Sequence, residues 1–540
     1  MTKPTTSVSF DDLLTSELGN FGLFQLRNVF LVSLAVLLSA FKSDYIFTAA
    51  AIPHRCQISE CGEDGKLHKY DPDWILKAIP ETSSGFSSCQ RYAPQQLEIN
   101  GSLDECPALL FDHSQTVSCD GYVYARDNTV VFDFDLGCQE WLRALPGTFS
   151  SLGILLGLPV SGYISDRFGR RFALIFNVIN LGLVGFIKSF SINYAMFMVL
   201  QVLQTFLGSS VYASGFVIVA EMVGAKYRVL ISAITTSMFT MGQVVLGGIA
   251  AAIHPWRYMT MVLYSPFVLL ISYFWILPES VRWLLSKKNI SEAKKILEMA
   301  ARVNKKQTSE STLATLTVLS EMSVIKTPET GLIRRVMRSP VMLRRVCTVP
   351  VWWMTTTLVY YGLSINSTSL SKNIYSNYIL ISAIEIPGYI SAILLLDRIG
   401  RKSTISVGFI FSGVCNISFI FLPTAYATTR LILYMLSKFS ISMVIMSLYI
   451  FTSELFPTEC RHRLLAFSSM IGRIGSIAAT LTPALMTYWH GLPSMIFGVS
   501  GVIAGLLVLT QPETLGTKLP DTFAEAEALG KPDLKMDPKE

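Results

Sequence analysis

Gly162-Tyr-Ile-Ser-Asp166-Arg167-Phe-Gly169-Arg170-Arg171 is a charged turn set between two long apolar runs, and it occurs twice. A shortened second copy, Asp397-Arg398-Ile-Gly400-Arg401-Lys402, follows 231 residues later. Two more landmarks repeat at nearly that distance. Glu221 stands seven residues before Arg228, and Glu454 stands seven before Arg461, an offset of 233. Pro278-Glu279-Ser280 returns as Pro512-Glu513-Thr514, an offset of 234. Loop patterns that repeat across two hydrophobic halves describe a duplicated membrane unit.

Composition agrees. Of 540 residues, 51% are hydrophobic and only 15% charged, where a soluble domain carries about 25% charged residues. Mean hydropathy is +0.46. Twelve runs are long enough to span a bilayer: 27–52, 144–164, 172–190, 194–217, 229–252, 257–277, 345–365, 374–396, 404–422, 430–453, 464–487 and 492–511. The expected fold is an all-α membrane protein, with twelve transmembrane helices in two pseudo-symmetric six-helix bundles. An N-terminus at 1–26 precedes a first bundle at 27–277, which contains a large loop at 53–142. A linker at 278–344 with surface helices joins it to a second bundle at 345–511 and a tail at 512–540. Asp11, Asp12 and Glu17 stand where a cleavable signal would be basic. The net charge of +6 sits in loops beside helices, so it predicts orientation and not nucleic-acid binding.

Pro278 to Arg345 holds 14 Lys or Arg against 6 acids, and the repeated charged turns fall on the same side. Opposite short loops carry single cations such as Lys188 and Arg430. Both termini and the linker are therefore expected in the cytosol. Six of nine cysteines, Cys56, Cys61, Cys89, Cys106, Cys119 and Cys138, lie in the loop after the first span. An even set confined to one loop predicts disulfides in an oxidising compartment, with 15 connectivities open. Asn100-Gly101-Ser102 in that loop is a glycosylation acceptor pattern. A multi-pass protein of the plasma membrane is the expectation.

The chain resembles the organic cation, organic anion and carnitine transporter family of the major facilitator superfamily, along essentially its whole length, with a cast most like insect members. Gly22-Leu-Phe-Gln25, Pro53-His-Arg-Cys56, Pro278-Glu-Ser-Val-Arg-Trp-Leu-Leu285, Tyr360-Tyr-Gly-Leu363, Glu385-Ile-Pro387, Glu454-Leu-Phe-Pro-Thr458 and Pro512-Glu-Thr-Leu-Gly516 carry the resemblance, in order. It departs from the family at Gln204, where an Arg is usual, and at Ile393, which stands where the first copy has Gly162. The resemblance implies a gate in which Asp166, Arg167, Arg170, Glu221 and Arg228 join Asp397, Arg398, Arg401, Glu454 and Arg461, latching the cytosolic side of an alternating-access carrier. Without that implication, the same turns read as topogenic loops in which Asp166 caps the next helix.

Ionisable residues inside spans are costly and so mark function by default. Here they are Lys42, Asp44, Glu385, Lys438 and Arg473. Arg473 matches a position that cation members of the family fill with Asp and that anion and carnitine members fill with Arg; a guanidinium there suits a carboxylate. Glu385 matches a cavity acid of cation carriers. Lys42 and Asp44 are two apart, so they face different ways, and Asp44 is taken as a cation-attracting group. Lys438 is read as reaching toward the interface. Trp353 and Tyr360, seven apart, share a helix face and match aromatic cavity positions, as Phe239 and Thr240 do in the fifth span. Each has an ordinary packing role as its alternative.

An acid pair, an arginine and aromatic rings predict a secondary transporter of small organic cations or zwitterions, carnitine-, β-alanine- or carcinine-like, coupled to Na⁺ or H⁺ or moving down a gradient. A dianion is disfavoured, because Glu385 and Asp44 would repel it. The alternatives are an organic anion transporter or exchanger and a non-transporting sensor on a transporter fold. The partners expected are the small organic ion, the coupling ion and the lipid bilayer. The chain shows no nucleophile elbow, metal-ligand spacing or phosphate-binding loop, so neither an enzyme nor a cofactor is expected.

Overall fold

The computed structural model describes residues 21–529 apart from 67, 83–84, 96–105, 225–226, 307–331, 371–372, 424, 459, 518 and 521. Asn100 lies outside the described residues, as does the side chain of Arg228. Among those described, ten helices are long and apolar enough to cross a membrane. Pro340–Asn366 and Leu492–Val508 stand at the seventh and twelfth positions of the same series. In hydrocarbon the backbone must satisfy its own polar groups, and long apolar runs therefore fold as helices.

Each half has its own core. Val32, Val36, Leu174, Ile218 and Leu263 centre the first; Trp352, Phe409, Val444, Leu448 and Phe497 centre the second. The two charged turns are built alike. Gly169 and Gly400 sit at φ 111° and 101°, where a side chain would be strained. A Cβ would also meet Glu279 Oε2 at 2.3 Å and Glu513 Oε2 at 2.6 Å respectively.

Two spans are interrupted where the site lies. The first, Leu23–Thr48, passes through a tighter turn at Ala40–Ser43. The eighth breaks at Ile384, between Ile374–Ala383 and Glu385–Ile399. Pro387 has no N–H, so the carbonyl of Ala383 loses its helical partner there.

The loop after the first span is closed by Cys56–Cys119, Cys61–Cys106 and Cys89–Cys138. Short antiparallel strands pair His54–Cys56 with Tyr122–Tyr124 and Gln90–Pro94 with Phe111–Ser118. Buried Arg55 bonds Glu63 at 2.6 Å inside it. The loop rests on the sixth span, Trp256–Ile276, where Trp256 Nε1 and Arg257 Nε donate to Asp133 Oδ2 at 2.9 and 3.0 Å.

On the opposite face, the amphipathic stretch after Pro278 forms two helices, Val281–Ser286 and Ile290–Val303. Ser280 and Asn289 cap them through their side chains. Lys288, at φ 59°, makes the corner between them. The second helix turns Ala293, Leu297 and Ala300 onto Phe24 of the first span. Asn304 Oδ1, just past its end, accepts from Phe24 N at 2.9 Å.

Candidate substrate cavity

Between the halves lies a cavity of about 110 Å³. Lys42, Tyr212 and Phe239 line it from the first half, and Trp353, Tyr360, Tyr361, Tyr389, Tyr449 and Arg473 from the second. Of the residues expected at a substrate site, Arg473, Trp353, Tyr360 and Phe239 thus share one space. Trp353 meets Tyr449 edge to face at 4.6 Å between centroids. Tyr212 meets Phe239 likewise at 5.8 Å.

Arg473 is carried by the eleventh span, Arg461–Leu485, pressed against the seventh. A Cβ on Gly475 would come within 2.0 Å of Met354 O, and one on Gly472 within 3.1 Å of Trp353 Cβ. Glycine on both sides of the arginine lets the two backbones touch while the guanidinium extends into the cavity. Among the described residues its side-chain hydrogen-bond partner is Tyr361 Oη, at 3.4 Å. Neither buried acid is its partner.

Glu385 and Thr240 are fully buried behind the wall. Glu385 Oε2 accepts from Tyr360 Oη at 2.6 Å, Thr240 Oγ1 at 2.9 Å and Tyr389 Oη at 3.0 Å. Lys438 Nζ stands 3.0 Å from Oε1. Lys438 therefore does not reach the interface: it is fully buried and also donates to Tyr360 O and Ser364 Oγ, both at 2.8 Å. Thr240 belongs to the fifth span, Arg228–Ala252, so this cluster ties the halves together.

Asp44 is away from the cavity. The tight turn at Ala40–Ser43 sends Lys42 to the cavity and Asp44 into the first bundle. There, fully buried, Asp44 pairs with Lys188 Nζ at 2.7 Å. Lys188 is thus not a loop cation. It also donates to Gln201 Oε1 at 2.7 Å and Gln204 Oε1 at 2.8 Å. At position 204 the cation arrives from a neighbouring span and not from the residue itself.

No acid lines the cavity among the described residues; its charged groups are Lys42 and Arg473. Sequence reasoning passed over Tyr389 and Tyr449 as site residues, and between Lys42 and Asp44 it chose Asp44 for the cavity. Tyr389 had a signal, being four residues after Glu385 and so on its helix face. Lys42 had none that separated it from Asp44, because the choice is made by the interrupted helix.

The repeated landmarks assemble within each half. Arg170 bonds Asp166 at 2.5 Å and lies 3.7 Å from Glu221. Arg401 lies 3.2 Å from Asp397 and 3.3 Å from Glu454. Arg461 donates to Phe456 O at 3.2 Å. Arg167 and Arg398 are exposed. Asp166 does not cap the third span, Arg170–Lys188. Glu279 does, from just past the sixth span, accepting from Arg170 N at 3.0 Å and Arg171 N at 3.1 Å. Glu513 repeats this for the ninth span, Arg401–Phe421, accepting from Arg401 N at 2.8 Å and Lys402 N at 3.1 Å. Ser280 Oγ donates to Glu221 as Thr514 Oγ1 does to Glu454. Burial pushes the Glu279 carboxyl up, and the backbone N–H groups of Ser280, Arg171 and Arg170 oppose that.

Polar and ring contacts between halves cluster from mid-depth to the loop face. Thr148 and Thr480 bond at 2.9 Å, and Tyr375 takes Phe47 and His254 at 5.7 and 5.8 Å between centroids. The halves are therefore clasped on the side of the disulfide loop.

Two bundles around a charged, ring-lined cavity define a carrier. Residues 143–480 match the Major Facilitator Superfamily. The organic cation transporter protein of Drosophila melanogaster is 30% identical, over 97% of this chain and 95% of that one. Solute carrier family 22 member 3 of Mus musculus is also 30% identical, over 97% of both. The chain belongs to the Major Facilitator Superfamily and, within it, to the solute carrier family 22 group of organic ion transporters. It is a multi-pass membrane protein and a secondary transporter, not an enzyme. Its fold is that of the E. coli xylose transporter XylE: the inward-open form aligns at TM-score 0.59 with 16% identity, over 92% of this chain and 98% of that one. The partially occluded inward-open form gives 0.58 with 17% identity, over 92% and 100%.

Proposed function

We propose that this carrier moves small organic acids, ring-bearing anions and zwitterions that present a carboxylate, across the plasma membrane by alternating access. The observation that carries the reading is the charge of the cavity: among the described residues Arg473 faces it without a carboxylate partner, and no lining residue is acidic. An unpaired guanidinium in a membrane bundle is costly until an anion meets it, and its fork fits a carboxylate. The two acids that favour a cation are each matched by a buried lysine, Asp44 by Lys188 and Glu385 by Lys438. Neither adds a free negative charge to the space a substrate enters. The aromatic walls retain a place for the alkylammonium end of a zwitterion, so carnitine-like molecules stay within the class and carboxylate-free amines leave it.

In this reading the termini are cytosolic and the loop face is extracellular. The clasp on that face corresponds to a carrier closed outside. The paired landmarks, each held within its own half, correspond to cytosolic latches released from one another. The test is uptake into proteoliposomes of benzoate, carnitine and tetraethylammonium. Benzoate and carnitine uptake that falls at least tenfold in Arg473→Gln supports the reading. Tetraethylammonium uptake alone, insensitive to that substitution, refutes it.

A further inference from the structure

Lys42 is the one cavity cation that no expected role absorbs. It sits at the tight turn Ala40–Ser43, where the first span leaves regular helix. Among the described residues it makes no hydrogen bond or ion pair; its contact is the face of Phe239, with Nζ 5.8 Å from the ring centre. A lysine that served packing would carry its ammonium to a carbonyl or a carboxylate, as Lys188 and Lys438 do here with two or three partners each. Lys42 has instead been left facing open space, on the opposite half from Arg473 and lining the same cavity.

We infer that Lys42 is a specificity residue that reads a second anionic group, so that the preferred substrate is an organic dianion held by one cation from each half. This rests on the proposed anion reading and narrows it. The chemistry is unequal at the two ends. Arg473 offers a planar fork to a carboxylate, and Lys42 a compact point charge that accepts a carboxylate, sulfonate or phosphate ester. The rings between them, Tyr212 and Phe239 on one side and Trp353 and Tyr449 on the other, fit a flat apolar frame that separates the two charges. A ligand that touches both halves also has a mechanical effect. Each charge it satisfies lies on a different bundle, so a dianion stabilises the arrangement in which both cations converge on it, and a monoanion supports only half of that convergence.

The experiment compares benzoate with terephthalate, which adds one carboxylate across a rigid ring, on the purified full chain in proteoliposomes. Affinity is read from inhibition of labelled benzoate uptake, and folding from thermal unfolding. Wild type is expected to prefer terephthalate about tenfold, the size of one added charge contact. Lys42→Gln should collapse that ratio toward unity, Lys42→Arg should retain most of it, and Arg473→Gln should weaken both ligands. A ratio that survives Lys42→Gln, with Arg473→Gln still weakening benzoate, overturns the role of Lys42 and leaves the anion reading standing. A wild-type ratio near unity does the same. Failure of both anions to be taken up or to compete, with tetraethylammonium taken up, overturns both. Should Lys42→Gln unfold, the Lys42→Arg ratio decides: its loss alongside normal unfolding counts against a charge reader.

Discussion

Each half of the molecule buries one lysine against one carboxylate, and the two pairs are not the same device. Asp44–Lys188 is sealed inside the first bundle, and among the described residues its side-chain hydrogen bonds stay within that bundle. Glu385–Lys438 sits where the bundles meet; three hydroxyls converge on its carboxylate, two from the cavity wall and one, Thr240, from the other half. The chemistry is alike and the surroundings differ. The first pair holds spans of one body together. The second is made partly of groups that separate whenever the bodies rock, so its solvation changes with the transport cycle. Burial alone does not mark a functional charge; what matters is whether its partners move relative to it.

The largest effect should come from breaking the sealed pair. Asp44→Asn or Lys188→Met leaves one buried charge without its partner, a loss of about 3–5 kcal/mol. The double substitution should recover most of it. Thermal unfolding in detergent checks this; single variants that melt like wild type would erase the distinction between the pairs. Next is Thr240→Val, which spares the second ion pair and removes only its bond across the halves, about 1 kcal/mol. That shifts the balance of states roughly fivefold toward opening on the loop face. Labelling of a cysteine placed at Ala51 by an impermeant maleimide should rise accordingly. An equal rise on weakening Asp44–Lys188 would show that both pairs gate.

Smaller effects test the other matched structures, the two charged turns. Asp166 and Asp397 are mostly exposed, so each ion pair is worth at most about 1 kcal/mol. Asp166→Ala and Asp397→Ala should each lower uptake two- to fivefold, with the amount at the surface, read by biotinylation, little changed. Normal uptake by both would end the latch proposal. The smallest effect belongs to Glu279. Its carboxyl is raised from the ordinary 4.5 by burial, so the stability it contributes is present at low pH and declines as pH climbs through the raised value. The melting temperature should slope gently downward over that window, and Glu279→Gln should flatten the slope.

Much of this was legible in the sequence, for reasons that can be named. The duplicated turns announced two bundles, because a charged loop between apolar runs cannot be hidden in lipid. Arg473 stands out because a charge within an apolar run leaves a local trace, and the seven-residue spacing of Trp353 and Tyr360 sets them on one helix face; their place at the cavity, like that of Phe239, is what the family resemblance implies. Partnership left none. That Asp44 belongs to Lys188, 144 residues away, and that Glu279 caps a helix 109 residues before it, depends on which spans become neighbours. The inversion of roles between Lys42 and Asp44 turns on one short departure from helical geometry, which residue spacing assumes away. The sign of the cavity's charge was read from the count of ionisable residues, whereas it is set by which of them are already neutralised.

The glycines that flank Arg473 have a consequence for how such a carrier diversifies. The seventh and eleventh spans approach most closely at Gly472 and Gly475, against Trp353 and Met354. Arg473 and Ile474 lie between them, and the guanidinium meets the seventh span through Tyr361 Oη alone among the described hydrogen bonds. A lineage that exchanged the sign of position 473 would keep the two glycines at which the helices meet, so substrate charge can drift while the backbone approach stays put.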